Sequence, residues 1–121
     1  MKNNIFTFLL IIWIIIILTL SSIPSMNINK SNEFNIDKLA HFIEYSIFSI
    51  LIYFTYKERN RKLTLKKIFL ISLFPIIDEI HQLFIAGRDF SYYDILANLL
   101  GYYFTIILLK HIKRNRRKDE S

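Results

Sequence analysis

Residues 5–23 read IFTFLLIIWIIIILTLSSI, an apolar run that no charged side chain interrupts. A helix of this length spans about 28 Å, close to the hydrocarbon thickness of roughly 30 Å. Three further apolar runs follow at residues 39–56, 68–85 and 95–112, and each is about 18 residues long. Because the backbone must satisfy its own hydrogen bonds in lipid, these runs predict helices. The chain is therefore expected to be an all-α integral membrane four-helix bundle.

The composition supports this class and excludes others. Hydrophobic residues make up 53% of the chain, and two glycines and two prolines are too few for a turn-rich β protein. There is no cysteine, which excludes disulfides and thiol chemistry. The first run is longer than a typical signal-peptide core and lacks a convincing cleavage site, so we expect it to be retained as a helix.

The cations predict the orientation. The net charge is +6, and most lysines and arginines fall within residues 57–67 and 110–118. The positive-inside rule places both segments, and therefore both termini, in the cytoplasm. We interpret these cations as topology determinants that can also contact anionic lipid, and not as a nucleic-acid-binding surface.

Polar groups interrupt the apolar runs at places that this topology brings to the outer side. An ionisable side chain at the centre of a membrane helix costs about 3 kcal/mol by insertion scales, which makes such residues functional candidates. The candidates that share this location are Asp37, Lys38, His41, Glu44, Tyr45, Asp78, Glu79, His81, Gln82, Arg88, Asp94 and Asn98.

Helical spacing predicts which candidates face the same way. Asp37, His41 and Glu44 share one stripe of the second helix, and Tyr45 borders it. Polar stripes must face protein or water rather than lipid, so we expect them to meet in an outward-opening polar pocket. The stripes of the third and fourth helices consist of Asp78, His81 and Gln82, with Glu79 a quarter turn aside, and of Asp94, Asn98, Gly101 and Thr105.

Prolines, one glycine and several tyrosines give further local predictions. Pro24 is expected to end the first helix, and Pro75 to kink the third. Gly101 is expected to allow close helix packing. Aromatic residues favour the membrane boundary, and the tyrosines expected at the outer boundary are Tyr92, Tyr93, Tyr102 and Tyr103.

The order of these motifs resembles that of the VanZ-like family, named for the teicoplanin-resistance protein. The similarity covers residues 14–109. It implies a small multi-pass cell-membrane protein linked to glycopeptide resistance, with a transmembrane domain at 1–112 and a basic cytoplasmic tail at 113–121. The residues that carry it are Ser22-Ile23-Pro24, Asp37-Lys38-x-x-His41-Phe42-x-x-Tyr45, Asp78-Glu79-x-His81-Gln82, Gly87-Arg88 and Asp94-x-x-x-Asn98-x-x-Gly101.

The predicted pocket admits several chemistries, and the resemblance implies no settled activity. His41, His81 and Asp78 are suitable zinc ligands, although they lack a familiar metal-binding spacing. A metal-free alternative pairs a carboxylate such as Glu44 with a histidine for acid–base work. Arg88 could clamp a phosphate or carboxylate of a cell-wall precursor, another lipid-linked substrate or a glycopeptide.

A non-catalytic alternative uses the same residues as interhelical pairs. In that interpretation Lys38 pairs with Asp37, and His41 pairs with Asp78. Arg88 pairs with Asp89 or Asp94. Two functional classes therefore remain open: an enzyme or ligand-binding protein that works on an envelope substrate, and a membrane scaffold that alters the envelope or a partner protein.

Overall fold

The computed structural model describes residues 4–24, 33–88 and 90–120, and within these residues it is helical with no strand. A short 3₁₀ helix follows the fourth α-helix at Gln82–Phe84. The third and fourth α-helices together take the place of the third predicted helix, so the all-α four-helix bundle is confirmed. The α-helices are α1 Ile5–Ser22, α2 Glu33–Glu58, α3 Leu65–Ile71, α4 Leu73–His81 and α5 Tyr92–Glu120.

Three helices, α1, α2 and α5, are long and apolar enough to cross a membrane. Their large apolar side chains cover much of the outer surface; Phe8 of α1 is 64% exposed and Ile107 of α5 is 64% exposed. A continuous apolar surface of this kind suits lipid as the surrounding solvent. α1 ends at Ser22, as predicted from Pro24, and α5 continues as one helix into the basic tail.

The third predicted helix is broken at Ser72. Pro75 has no backbone N–H, so it cannot bond the carbonyl of Ile71 four residues earlier, and its ring crowds that group. α3 ends at Ile71, and α4 begins at Leu73. The break predicted from Pro75 thus lies one turn before it, and each piece alone is too short to span a membrane.

The closest helix pair is α2 with α5, and Gly101 lies at their contact. A Cβ atom on Gly101 would collide with the carbonyl oxygen of Phe42 and lie 3.1 Å from its carbonyl carbon. Next to Gly101, the Tyr102 carbonyl accepts a hydrogen bond from Ser49 Oγ at 2.7 Å. This contact sets the register in which the N-terminal turns of both helices meet.

An aromatic core fills the middle of the bundle. Phe48 stacks on Phe74 with ring centroids 5.2 Å apart, and Tyr102 is fully buried beside them. The Tyr102 hydroxyl donates to the Ile68 carbonyl at 2.7 Å. The predicted boundary position of Tyr102 is wrong, because ten helical residues place it about 15 Å from the exposed Tyr92.

Candidate functional site

Polar side chains from α2, α4, the 3₁₀ helix and α5 are buried together at one end of the bundle, here called the polar end. It is formed by the N-terminal turns of α2 and α5 and by the C-terminal turn of α4 with the 3₁₀ helix that follows. Buried polar groups require partners, so their contacts define what the site can do. The buried candidates are His41, Tyr45, Asp78, Glu79, Gln82, Asp94 and Asn98.

Asp94 is the centre of a charged network. The Lys38 ammonium donates to Asp94 across the α2–α5 contact, and to Asp37 on its own helix at 3.3 Å. The His41 Nε2 atom lies 3.7 Å from Asp37 Oδ1 and 3.8 Å from Asp94 Oδ2. One buried carboxylate is therefore balanced by a lysine and faced by a histidine.

The other ring nitrogen of His41 joins a chain of bonds that crosses three helices. His41 Nδ1 lies 2.8 Å from Asn98 Oδ1, and Asn98 Nδ2 donates to the Pro75 carbonyl at 3.3 Å. Because Asn98 Oδ1 is an acceptor, Nδ1 is the donor of this bond. The remaining nitrogen, Nε2, thus points at the carboxylates of Asp37 and Asp94.

Each of two buried carboxyl groups on α4 has one oxygen that accepts a hydrogen bond and one that has no donor among the described residues. The Tyr45 hydroxyl donates to Asp78 Oδ2 at 2.6 Å, and the Ser91 backbone N–H donates to Glu79 Oε1 at 3.2 Å. Asp78 Oδ1 and Glu79 Oε2 are buried with no hydrogen-bond partner among the described residues. The neighbour of Glu79 is Asp94, itself a carboxyl group. Such oxygens cost about 1–3 kcal/mol each unless a proton or a ligand donor satisfies them.

His81 and Arg88 bond to the end of α1. His81 Nε2 lies 3.3 Å from Ser22 Oγ. Arg88 donates from Nε to the Ile23 carbonyl and from Nη2 to the Leu20 carbonyl, both at 3.0 Å. Both carbonyls lie at the C-terminal end of α1, where backbone acceptors outnumber the helix's own donors. Arg88 therefore fastens the loop after α4 to α1.

The observed pairs differ from several predicted ones. Lys38 contacts Asp37 as expected, but the partner of Asp94 is Lys38 and not Arg88. Asp78 bonds Tyr45 and not His41. Asp89, the other predicted partner of Arg88, lies outside the described residues.

The predicted stripe of α4 is also rotated. Glu79, expected a quarter turn aside, is fully buried, whereas His81 is half-buried and turned toward α1. Asp78 and Gln82 are buried as predicted, so the face that α4 presents to the bundle is centred nearer to Glu79 than to His81. Glu44 is half-buried, and its backbone carbonyl accepts from Trp13 Nε1 at 3.1 Å.

The possible metal ligands that lie together in the structure differ from the predicted ones. Asp37, His41 and Asp94 each offer a ligand atom, and these atoms lie within 4.8 Å of one another. The predicted trio of His41, His81 and Asp78 does not gather in this way within the described ranges. Since the Lys38 ammonium already contacts both aspartates, a divalent cation there would meet a positive charge. This arrangement suits an internal ion-pair network better than a metal centre.

Contacts made by α1 and by Ser91 were missed from the sequence. The apolar run of α1 carries the Trp13 indole, an N–H donor that needs an acceptor when it is shielded from water. This donor could have predicted a contact between α1 and another helix. Ser91 acts through its backbone N–H toward Glu79, and a backbone donor leaves no trace in residue identity.

The fold and the polar end define a small integral membrane protein with a charged network at one end of a helical bundle. The VanZ/LLP1 family matches residues 6–113, so the chain belongs to this family. A Schizosaccharomyces pombe relative, the uncharacterized protein C11E3.10, is 31% identical over 85 residues, which are 69% of this chain and 51% of the relative. The chain thus spans about half the length of that relative. No solved structure matches the chain.

Proposed function

We propose that this multi-pass protein of the cell membrane raises tolerance to a lipoglycopeptide such as teicoplanin, or to a related envelope stress, and that its polar end carries the effect. Family membership supports the antibiotic class. The observation that carries the site is the pair of buried carboxyl oxygens, Asp78 Oδ1 and Glu79 Oε2, for which the described residues supply no donor. Buried ionisable groups in membrane helices are costly and mark functional positions.

The chemistry of these oxygens suggests the class of ligand. They are hydrogen-bond acceptors, so a ligand that satisfies them brings hydroxyl or amide donors. Cell-wall precursors linked to lipid and glycopeptides are both rich in such groups. In the proposed orientation the polar end faces the outer leaflet, where either ligand is available.

A second candidate is a scaffold in which the polar groups lock the helices together. It is favoured by the number of bonds that join different helices, such as Tyr45 to Asp78 and Asn98 to the Pro75 carbonyl. Under this candidate, loss of tolerance in a variant always accompanies loss of stability, because the network has no task other than packing.

Tolerance measurements in a susceptible host separate the two candidates. Asp78→Asn keeps the size of the side chain and removes its charge, and we expect it to abolish the rise in the teicoplanin inhibitory concentration at a normal membrane level. Asp119→Asn makes the same change on the exposed tail of α5 and should leave tolerance unaltered. Thermal unfolding in detergent is measured in parallel.

Each outcome has a distinct meaning. Lost tolerance at an unchanged Tm supports a ligand-binding or catalytic role for the polar end. Tolerance and Tm that fall together in Asp78→Asn favour the scaffold. If the wild-type protein changes no tolerance at all, the proposed function is wrong for this chain.

The orientation can be tested directly, because the chain has no cysteine of its own. Asn60→Cys and Tyr93→Cys each introduce one thiol, at opposite ends of the bundle. A membrane-impermeant maleimide should label position 93 in intact cells and position 60 only after lysis. The reverse pattern would place the polar end in the cytoplasm and remove its access to envelope ligands.

A further inference from the structure

A cavity of about 490 Å³ lies at the opposite end of the molecule. This basic end is formed by the C-terminal part of α2, by residues 59–64 and by the C-terminal turns of α5. Eight of its eleven lining residues are lysine or arginine, and none is acidic. The volume falls within the range typical of small-molecule sites, so the cations surround a recess rather than a flat face.

The recess has a defined backbone and is not merely a solvated loop. Asn60 adopts a left-handed conformation, with φ 53°, and ends α2. The Arg61 N–H bonds the Tyr56 carbonyl at 2.9 Å, which together with the Asn60 turn forms a Schellman-type helix end. Lys110 of α5 donates to the Leu63 carbonyl at 2.6 Å and fastens the loop to the helix. Cations from three segments are thereby held around one space.

The recess carries positive charge that the nearby acid does not balance. Within the described part of the chain, Arg61 and Lys113 take part in no ion pair. Glu58, the acid at the end of α2, instead accepts the Phe6 and Thr7 N–H groups of α1, each at 3.4 Å. Clustered positive charges around one recess repel one another and attract an anion.

We propose that the basic end binds the head group of an anionic phospholipid that carries more than one phosphate. The number of cations suits several negative charges, and basic recesses between membrane helices are suited to such head groups. The turns of α5 that precede the recess expose Phe104, Ile107 and Leu108, which offer acyl chains an apolar surface. A free phosphate compound would use the same cations but gain nothing from these side chains.

Native mass spectrometry of the purified protein in detergent tests this site with diphosphatidylglycerol as the probe. The double variant Arg61→Gln with Arg114→Gln removes two lining cations, and we expect it to bind the lipid about tenfold more weakly. The control, Lys66→Gln with Arg116→Gln, removes the same charge from two residues outside the lining and should bind within about twofold of wild type.

The outcomes of this experiment distinguish a lipid head group from a soluble anion as the ligand. Tight binding of diphosphatidylglycerol, weak binding of phosphatidylcholine and no competition by inorganic pyrophosphate support the lipid site. Equal weakening in both double variants would reduce the effect to net charge and overturn the proposal. Pyrophosphate that binds as tightly as the lipid would overturn it in favour of a soluble anion. If the first double variant fails to fold, Lys113→Gln alone is tested against Lys66→Gln with the same criteria.

Discussion

The two ends of the bundle treat charge in opposite ways. At the polar end, Asp94 is 5% exposed and is paired with Lys38 from the neighbouring helix. At the basic end, Arg61 and Lys113 line an open recess and make no ion pair among the described residues. Buried opposite charges join helices, because each charge depends on its partner for the solvation it lost. Clustered surface charges of one sign have no internal counter-charge and attract oppositely charged molecules from outside.

The two ends should differ most in how much stability is lost when one lysine is replaced. Lys38→Met is expected to lower the free energy of unfolding by about 3 kcal/mol, because it leaves Asp94 buried without its cation. Denaturant titration in detergent micelles measures the change. Lys57→Met removes the same charge at the basic end and should cost less than about 0.5 kcal/mol.

A second substitution tests whether the loss comes from the unpaired carboxylate. Asp94→Asn combined with Lys38→Met removes both charges and should recover much of the stability lost by Lys38→Met alone. A double variant that is less stable than Lys38→Met would contradict the ion-pair explanation and point to Lys38 packing instead.

Gly101 tests the contact that aligns the polar end. Gly101→Ala places a methyl group against the Phe42 backbone and should lower the free energy of unfolding by about 2 kcal/mol, since the two helices must separate. Leu100→Ala, at the neighbouring exposed position, is the control and should have little effect. Equal stability of the glycine variant and wild type would mean that α2 and α5 are not held this closely.

A smaller loss of stability is expected at Tyr102, which lies in the core between the two ends of the bundle. Tyr102→Phe removes the hydroxyl that donates to the Ile68 carbonyl and should cost about 1 kcal/mol. Tyr92→Phe removes an identical group from an exposed position and should be neutral. An equal loss in both variants would contradict the burial of Tyr102 in the core.

The smallest effect is expected from metal removal. Lys38 lies against the carboxylates of Asp37 and Asp94, so a chelator should leave the Tm of the wild-type protein unchanged. Thermal unfolding with and without the chelator measures the Tm, and elemental analysis of the purified protein measures any bound metal. Stoichiometric zinc that disappears in His41→Ala would reverse this assignment and make the polar end a metal centre.

Much of the architecture could be predicted because it depends on local sequence. Apolar run length predicts membrane helices, and Pro75 predicts a kink in the third one. Helical periodicity also predicted the inner face of α5, on which Asp94, Asn98 and Gly101 are all buried. Each of these properties follows from neighbours within one or two turns, so no knowledge of the other helices is needed.

The partners of the polar residues could not be predicted in the same way. Periodicity limits the face of a helix to about a quarter turn, which is too coarse to choose between Lys38 and Arg88 as the partner of Asp94. Glu79 faces inward and His81 contacts α1, and the close contact at Gly101 sets the register that brings His41 to Asn98. The membrane class, the helices and the set of polar residues were thus determined by the sequence itself. The pairing within that set was decided only by the tertiary structure, because it depends on how separate helices rotate and approach one another.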